Sequence, residues 1–154
     1  MGRALERLMR GIERVLALVL LATIALNFAN VVGRYAFGRT ITGADELQTY
    51  AMVWIAFLGA AVVAGRGEHL RMDILARRFS SSTKSVMRIA ELAVILAAGG
   101  FALWQSVRYV ESMLRLGANS PMAQVPMWMP HSGVAAGLAL LILVALWRFA
   151  RREL

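Results

Sequence analysis

Four long stretches of this chain carry almost no charge, and they decide which solvent it can fold in. Residues 15–33 are apolar apart from Thr23, Asn27 and Asn30. Residues 47–65 follow, opened by Asp45 and Glu46 and closed by Arg66. A third stretch, 86–107, carries Arg88 and Glu91 in its first turns, and a fourth, 132–149, follows Pro126 and Pro130. At ~1.5 Å of rise per residue, each approaches the length that a helix needs to cross ~30 Å of hydrocarbon. Composition agrees: 59% of residues are hydrophobic and 17% charged, where soluble domains carry about a quarter charged. What remains of 154 residues is too little for a soluble domain of useful size. The expected fold class is an all-α integral membrane protein: one domain, residues 1–154, with four transmembrane helices.

An even number of spans puts both ends on one side, and Lys and Arg say which. The N-terminal arm holds Arg3, Arg7, Arg10 and Arg14; the second connection and its flanks hold Arg66, Arg71, Arg77, Arg78, Lys84 and Arg88; the tail holds Arg148, Arg151 and Arg152. The other side has only Arg34, Arg39, Arg108 and Arg115. This asymmetry predicts cytoplasmic termini. It also accounts for the net charge of +8 as a topology signal and a tie to anionic lipid heads. A nucleic-acid footprint would need a soluble basic face or aromatic interleaving, and neither is present.

Two shorter segments have the pattern of helices lying in the headgroup plane. In residues 3–14, Leu5, Leu8, Met9 and Ile12 share a face and arginines cover the rest. In residues 70–79, Leu70, Ile74, Leu75 and Phe79 oppose Arg71, Arg77 and Arg78. For the first, a plain extension of the neighbouring span reads equally well. Its apolar run of 19 residues exceeds the 7–15 of a signal peptide, so it is expected to stay as a span.

Chemistry is sparse. With no cysteine there is no disulfide, thiolate metal site or cysteine nucleophile. His69 and Asp73 are four apart, but two ligands make no metal site, and His131 and His69 lie outside the spans where haem would sit. No carboxylate lies mid-span, where transporters keep theirs. No enzyme and no cofactor is expected. Asn27 and Asn30, three apart on one helix face, are amides in search of partners, either within the chain or on another protein. Ala56, Ala60 and Ala64, with Gly59 beside them, form a small-residue stripe on the second helix. Asp45 and Glu46 meet the positive end of that helix. Arg34 and Glu46, flanking a short loop, are expected to pair.

The landmarks resemble a known family. Asn30-Val-Val-Gly-Arg34-Tyr35-Ala-Phe37 ends the first span and Asp45-Glu46-Leu47 opens the second. The second continues Met52-Val-Trp54-Ile-Ala-Phe57-Leu58-Gly59-Ala60-Ala61, followed by Arg66-Gly67-Glu68-His69-Leu70-Arg71-Met72-Asp73. Val125-Pro126-Met127-Trp128 precedes the fourth. This is similar to the small membrane subunit, Q type, of tripartite ATP-independent periplasmic (TRAP) transporters. Asp45 departs from the pattern, which often has Ser there. The resemblance implies an accessory subunit of a sodium-coupled importer of organic anions, carboxylates or sialic acids. Its partners would be a large membrane subunit, M type, which holds the sodium, and a periplasmic binding protein. The resemblance places the chain in a bacterial inner membrane. Together with Asn27 and Asn30, singled out above as deep amides, Arg34, Tyr35, Glu46, Trp54, Gly59, His69, Asp73 and Trp128 are structural or partner-interface candidates. The small subunit of a tricarboxylate importer is the alternative, opposed by the Arg-Tyr and Gly-x-His motifs. A self-contained homodimeric transporter would need an embedded carboxylate, and Glu13, the nearest, sits at a basic edge.

Reporter fusions test the orientation. Fusions at Ser81 and Leu154 should read cytoplasmic, and those at Thr40 and Asn119 periplasmic; a periplasmic signal at Ser81 would overturn the four-span reading.

Overall fold

The computed structural model describes residues 3–66 and 81–152. Within them the chain is helical: α1 (Arg3–Phe37), α2 (Ala44–Arg66), α3 (Ser81–Val94), a π-helical turn (Ile95–Gly99), α4 (Gly100–Leu116) and α5 (Trp128–Arg152). The π turn joins α3 to α4, so the two make one long rod. Four segments are long and apolar enough to cross a membrane: Glu6–Phe37, Ala44–Gly65, Ile89–Leu116 and Trp128–Ala150. The expected four spans are all there.

Their ends differ from the sequence reading in instructive ways. Residues 3–14 are not a separate interfacial helix; they continue the first span as one helix of 35 residues, about 52 Å long at ~1.5 Å per residue. Met9 explains the extension. It is 3% exposed and packs with Val62, Ala64 and Val144, with Ile12 beside it, so these two residues of the arm are spent on α2 and α5 while Leu8 stays exposed. The third span runs to Leu116, beyond residue 107, and stops where Gly117 takes a left-handed conformation (φ 59°) and donates its N–H to the Leu114 carbonyl. That is a C-terminal stop which glycine adopts without a Cβ penalty. The fourth begins at Trp128 rather than 132, because Pro130 falls in the first turn, where its missing N–H has no partner to lose. The segment 70–79 lies outside the described residues.

The helices stand in a row rather than a closed bundle. α1 packs on α2, α2 on α5, and α5 on α4 and the π turn. Among the described residues, α1 and the α3–α4 rod are at opposite ends and make no substantial contact. Along the π turn and α4, half-buried residues recur every three or four positions on the α5 side: Gly99, Leu103, Ser106, Val110 and Met113. Large apolar side chains are exposed at both ends of the row, among them Leu18, Leu21 and Phe28 of α1 and Phe101 and Trp104 of α4. Between lipid and protein the hydrophobic effect gives no drive to hide them, so helix contacts must come from close fit.

The closest fit is at α2–α5. A Cβ on Gly137 would meet the Cβ and backbone carbonyl carbon of Phe57 at 2.5 and 2.6 Å, and one on Gly133 would meet the Trp54 ring at 2.9 Å. The glycines of α5 are therefore the small face, and Trp54 and Phe57 are the knobs. Near the chain-terminal ends the seam continues through Ala61, Ala64 and Val144, and the Arg148 guanidinium donates to the Ala64 carbonyl at 2.7 Å. There a cation meets the negative end of α2. The stripe on α2 is used otherwise than its spacing implied. Ala64 is buried, but Ala56 and Ala60 face outward, and no atom approaches within 4 Å of a Cβ built on Gly59.

Gly137→Ala should therefore lower the melting temperature of the purified protein, with a cost of about 1–3 kcal/mol for forcing an atom into a filled contact. Gly59→Ala should leave it unchanged or slightly raised. Equal losses in the two variants would refute the glycine seam.

Candidate functional site

The end of the row away from the chain termini is where sequence landmarks and polar contacts converge. α1 is turned back into α2 by a tight return in which Gly38 and Gly43 both have positive φ (61° and 79°). Two polar contacts hold it. The Ile41 N–H donates to Asn30 Oδ1 at 2.9 Å, and the Arg39 N–H donates to the Gly33 carbonyl at 3.0 Å. One turn deeper, Asn27 Nδ2 donates to Gln48 Oε1 at 2.8 Å, tying α1 to α2. Both asparagines are thus bound within the chain. Asn30, at 6% exposure, has no surface left to offer another protein.

The second connection folds onto the first. In residues 117–127 the Ser120 N–H donates to the Val125 carbonyl and the Met127 N–H to the Ala118 carbonyl, both at 2.9 Å, and Asn119 and Pro126 form a single antiparallel bridge. Ser120 is fully buried, and its Oγ accepts the Val125 N–H at 3.2 Å. The tip of this loop delivers two backbone donors to one carboxylate. The Ala123 N–H reaches Glu46 Oε2 at 2.8 Å, and the Met122 N–H is 3.3 Å from each oxygen. The Ser120 hydroxyl bonds the same group. Glu46 stands in the first turn of α2, so the carboxylate also faces the positive helix end. Gly43 lets the loop come this close: a Cβ there would fall 2.7 Å from the Ala123 Cα. Tyr50 adds a hydroxyl donated to Met127 Sδ at 3.6 Å.

This corrects one expectation. Arg34 and Glu46 do not pair, and no ion pair joins them among the described residues. The physical reason is competition. Amide donors preset by a folded loop take the carboxylate without the entropy that a long arginine side chain would lose. Arg34 and Tyr35 instead end α1 on its outer surface, with Tyr35 83% exposed. Trp54 belongs to the glycine seam and Trp128 starts α5, half-buried. His69 and Asp73 lie outside the described residues. Three participants escaped sequence reasoning: Gln48, Ser120 and the Gly133/Gly137 pair. Only the glycines announced themselves, by their four-residue spacing.

Chemically, the arrangement joins things. Among the described residues no three His, Asp or Glu side chains come together as a metal site. The Glu46 carboxylate is spent on backbone amides. What the site accomplishes is to lock two loops over the ends of α1, α2, α4 and α5.

Glu46→Ala should loosen the loop, seen as faster proteolysis within residues 118–127 and a lower melting temperature, because the tip amides lose their charged acceptor. Arg34→Ala should add to it independently in a double-mutant cycle, as separate sites do. A coupling well above about 0.5 kcal/mol would restore the discarded pair.

Comparison with known proteins supplies the remaining link. The family described as "Tripartite ATP-independent periplasmic transporters, DctQ component" matches residues 23–153. A Haemophilus influenzae protein named as a TRAP transporter small permease is 24% identical over 140 residues, covering 90% of this chain and 86% of that protein. The C4-dicarboxylate TRAP transporter small permease protein DctQ of Rhodobacter capsulatus is 26% identical over 104 residues, 68% of this chain and 46% of that protein. The isethionate TRAP transporter permease protein DctMQ of Oleidesulfovibrio alaskensis is 24% identical over 87 residues, 56% of this chain but 14% of that much longer protein. The match spans the first connection, the Glu46 clamp and the glycine seam alike, and it settles the class: this chain belongs to the DctQ family, the small membrane subunits of TRAP transporters, and is a transporter permease subunit rather than an enzyme.

Proposed function

We propose that the chain is the accessory subunit of a sodium-coupled TRAP importer of organic anions. In this reading it braces a large membrane subunit, which carries the sodium and substrate sites, while a soluble periplasmic protein delivers the substrate. The observation that supports a brace over a conduit is the open row of helices. A pathway needs a polar, enclosed route with ionisable groups near the midplane. The central stretches of these spans hold none, and among the described residues the helices form an open row. An open row does offer a second polypeptide a broad apolar wall.

The relatives support the partner and the cargo class. One relative's permease is named DctMQ, and this chain aligns with 14% of its length, as a small subunit joined to a large one would. Another is named for C4-dicarboxylates. We assign both termini to the cytoplasm on the charge asymmetry, which places the Glu46 clamp on the periplasmic side, where the binding protein acts.

Deleting this subunit should abolish uptake of the organic anion by the assembled transporter or destabilise the large subunit, and His69→Ala should leave the sodium stoichiometry unchanged. The purified chain alone in liposomes should move nothing. Sodium-driven uptake without a partner would refute the reading.

A further inference from the structure

Arg108 is the feature that neither the packing nor the transporter reading uses. It lies on the face of α4 turned away from α5, together with Phe101 and Trp104, which are 62% and 53% exposed. The rotation is fixed on the other side, where the Tyr109 ring meets the His131 ring edge-on at 4.4 Å. Arg108 folds back one turn, and its guanidinium carbon lies 5.2 Å from the centre of the Trp104 ring. Glu111, one turn on, forms no ion pair with it among the described residues.

Depth makes this arrangement costly unless it is answered. The uncharged part of this rod, residues 92–107, spans about 24 Å at ~1.5 Å per residue, against ~30 Å of hydrocarbon. Arg108 therefore sits at or just inside the boundary, where an unpaired cation is unfavourable. Stacking on a ring face leaves the in-plane N–H edge of the guanidinium free, and that edge matches a two-oxygen anion. Phe101 and Trp104 are bulky rings of the kind that stand at a lipid interface, whereas close approach of a second helix favours small residues. Arg115, two turns on, adds positive charge on the headgroup side.

We infer that Trp104 and Arg108 form a binding site for the phosphate of an anionic phospholipid, in the leaflet opposite the chain termini. The site rests only on the chain lying in a bilayer, and not on what the transporter carries.

The test is native mass spectrometry of the full chain in detergent, offered phosphatidylglycerol and phosphatidylcholine in competition. The wild type should retain phosphatidylglycerol preferentially, and Arg108→Gln should cut that preference about fivefold, the scale of one basic residue at an anionic surface. Arg34→Gln, an exposed arginine at the same end of the row without a ring beneath it, should leave the preference nearly intact. Equal losses in the two variants would reduce the site to diffuse surface charge and overturn it. An unchanged preference in Arg108→Gln would also overturn it, and reduced co-purification of the large subunit in that variant would assign Arg108 to a carboxylate of that partner. Should Arg108→Gln fail to fold, Trp104→Leu should show a smaller loss in the same direction, and no loss there overturns the proposal.

Discussion

The contact of Trp54 and Phe57 with Gly133 and Gly137 holds the middle of the row, and everything else hangs from it. Among the described residues, α2 and α5 are the helices with a neighbour on each side. In water such a contact would be driven by expelling solvent. In a bilayer that drive is absent, and what remains is dispersion across surfaces that fit. Glycine permits this fit because it lets a backbone approach a ring. The buried side chains are correspondingly few and small, with Ala61 and Ala64 on α2 and Val144 on α5.

The clamp at the far end solves a separate problem. A connection near the membrane surface must satisfy its own amides. Residues 117–127 satisfy several internally and pass the two at the tip to Glu46. Because Glu46 belongs to α2 and the loop leads into α5, the bond closes the same helix pair that the glycines hold deeper down. Asn27 and Asn30 do for α1 and α2 what Glu46 does for α2 and α5.

Much of this was legible in the sequence. The spans follow from length and hydropathy alone, because hydrocarbon permits so few alternatives. The motif from Asn30 to Glu46 marks the right end of the molecule, although opposite charge across a short loop points to an Arg34–Glu46 pair that the fold does not make. Nothing in the sequence shows that a loop seventy-odd residues downstream will present two N–H groups to that carboxylate. The small stripe on α2 shows a related limit. Alanine is frequent throughout this chain, so Ala56 and Ala60 carried little information, whereas two glycines four apart on α5 carried more. The arm at residues 3–14 was ambiguous because the same amphipathic pattern serves a lipid surface or a protein one, and only the position of Met9 against Val62 and Val144 separates them.

The order of neighbours in the row differs from the order of synthesis. α1 and α2 are adjacent in both, and can associate as soon as the second helix is made. The α3–α4 rod is made next, yet its neighbour is α5 and not α2. Among the described residues, that rod makes no substantial contact with α1 or α2, so before α5 enters the membrane it lacks its main neighbour. The last helix is therefore the keystone of biogenesis. A ribosome stalled or a chain truncated before residue 128 would leave a hairpin and a solitary rod as separate bodies in the bilayer, each open to membrane quality control.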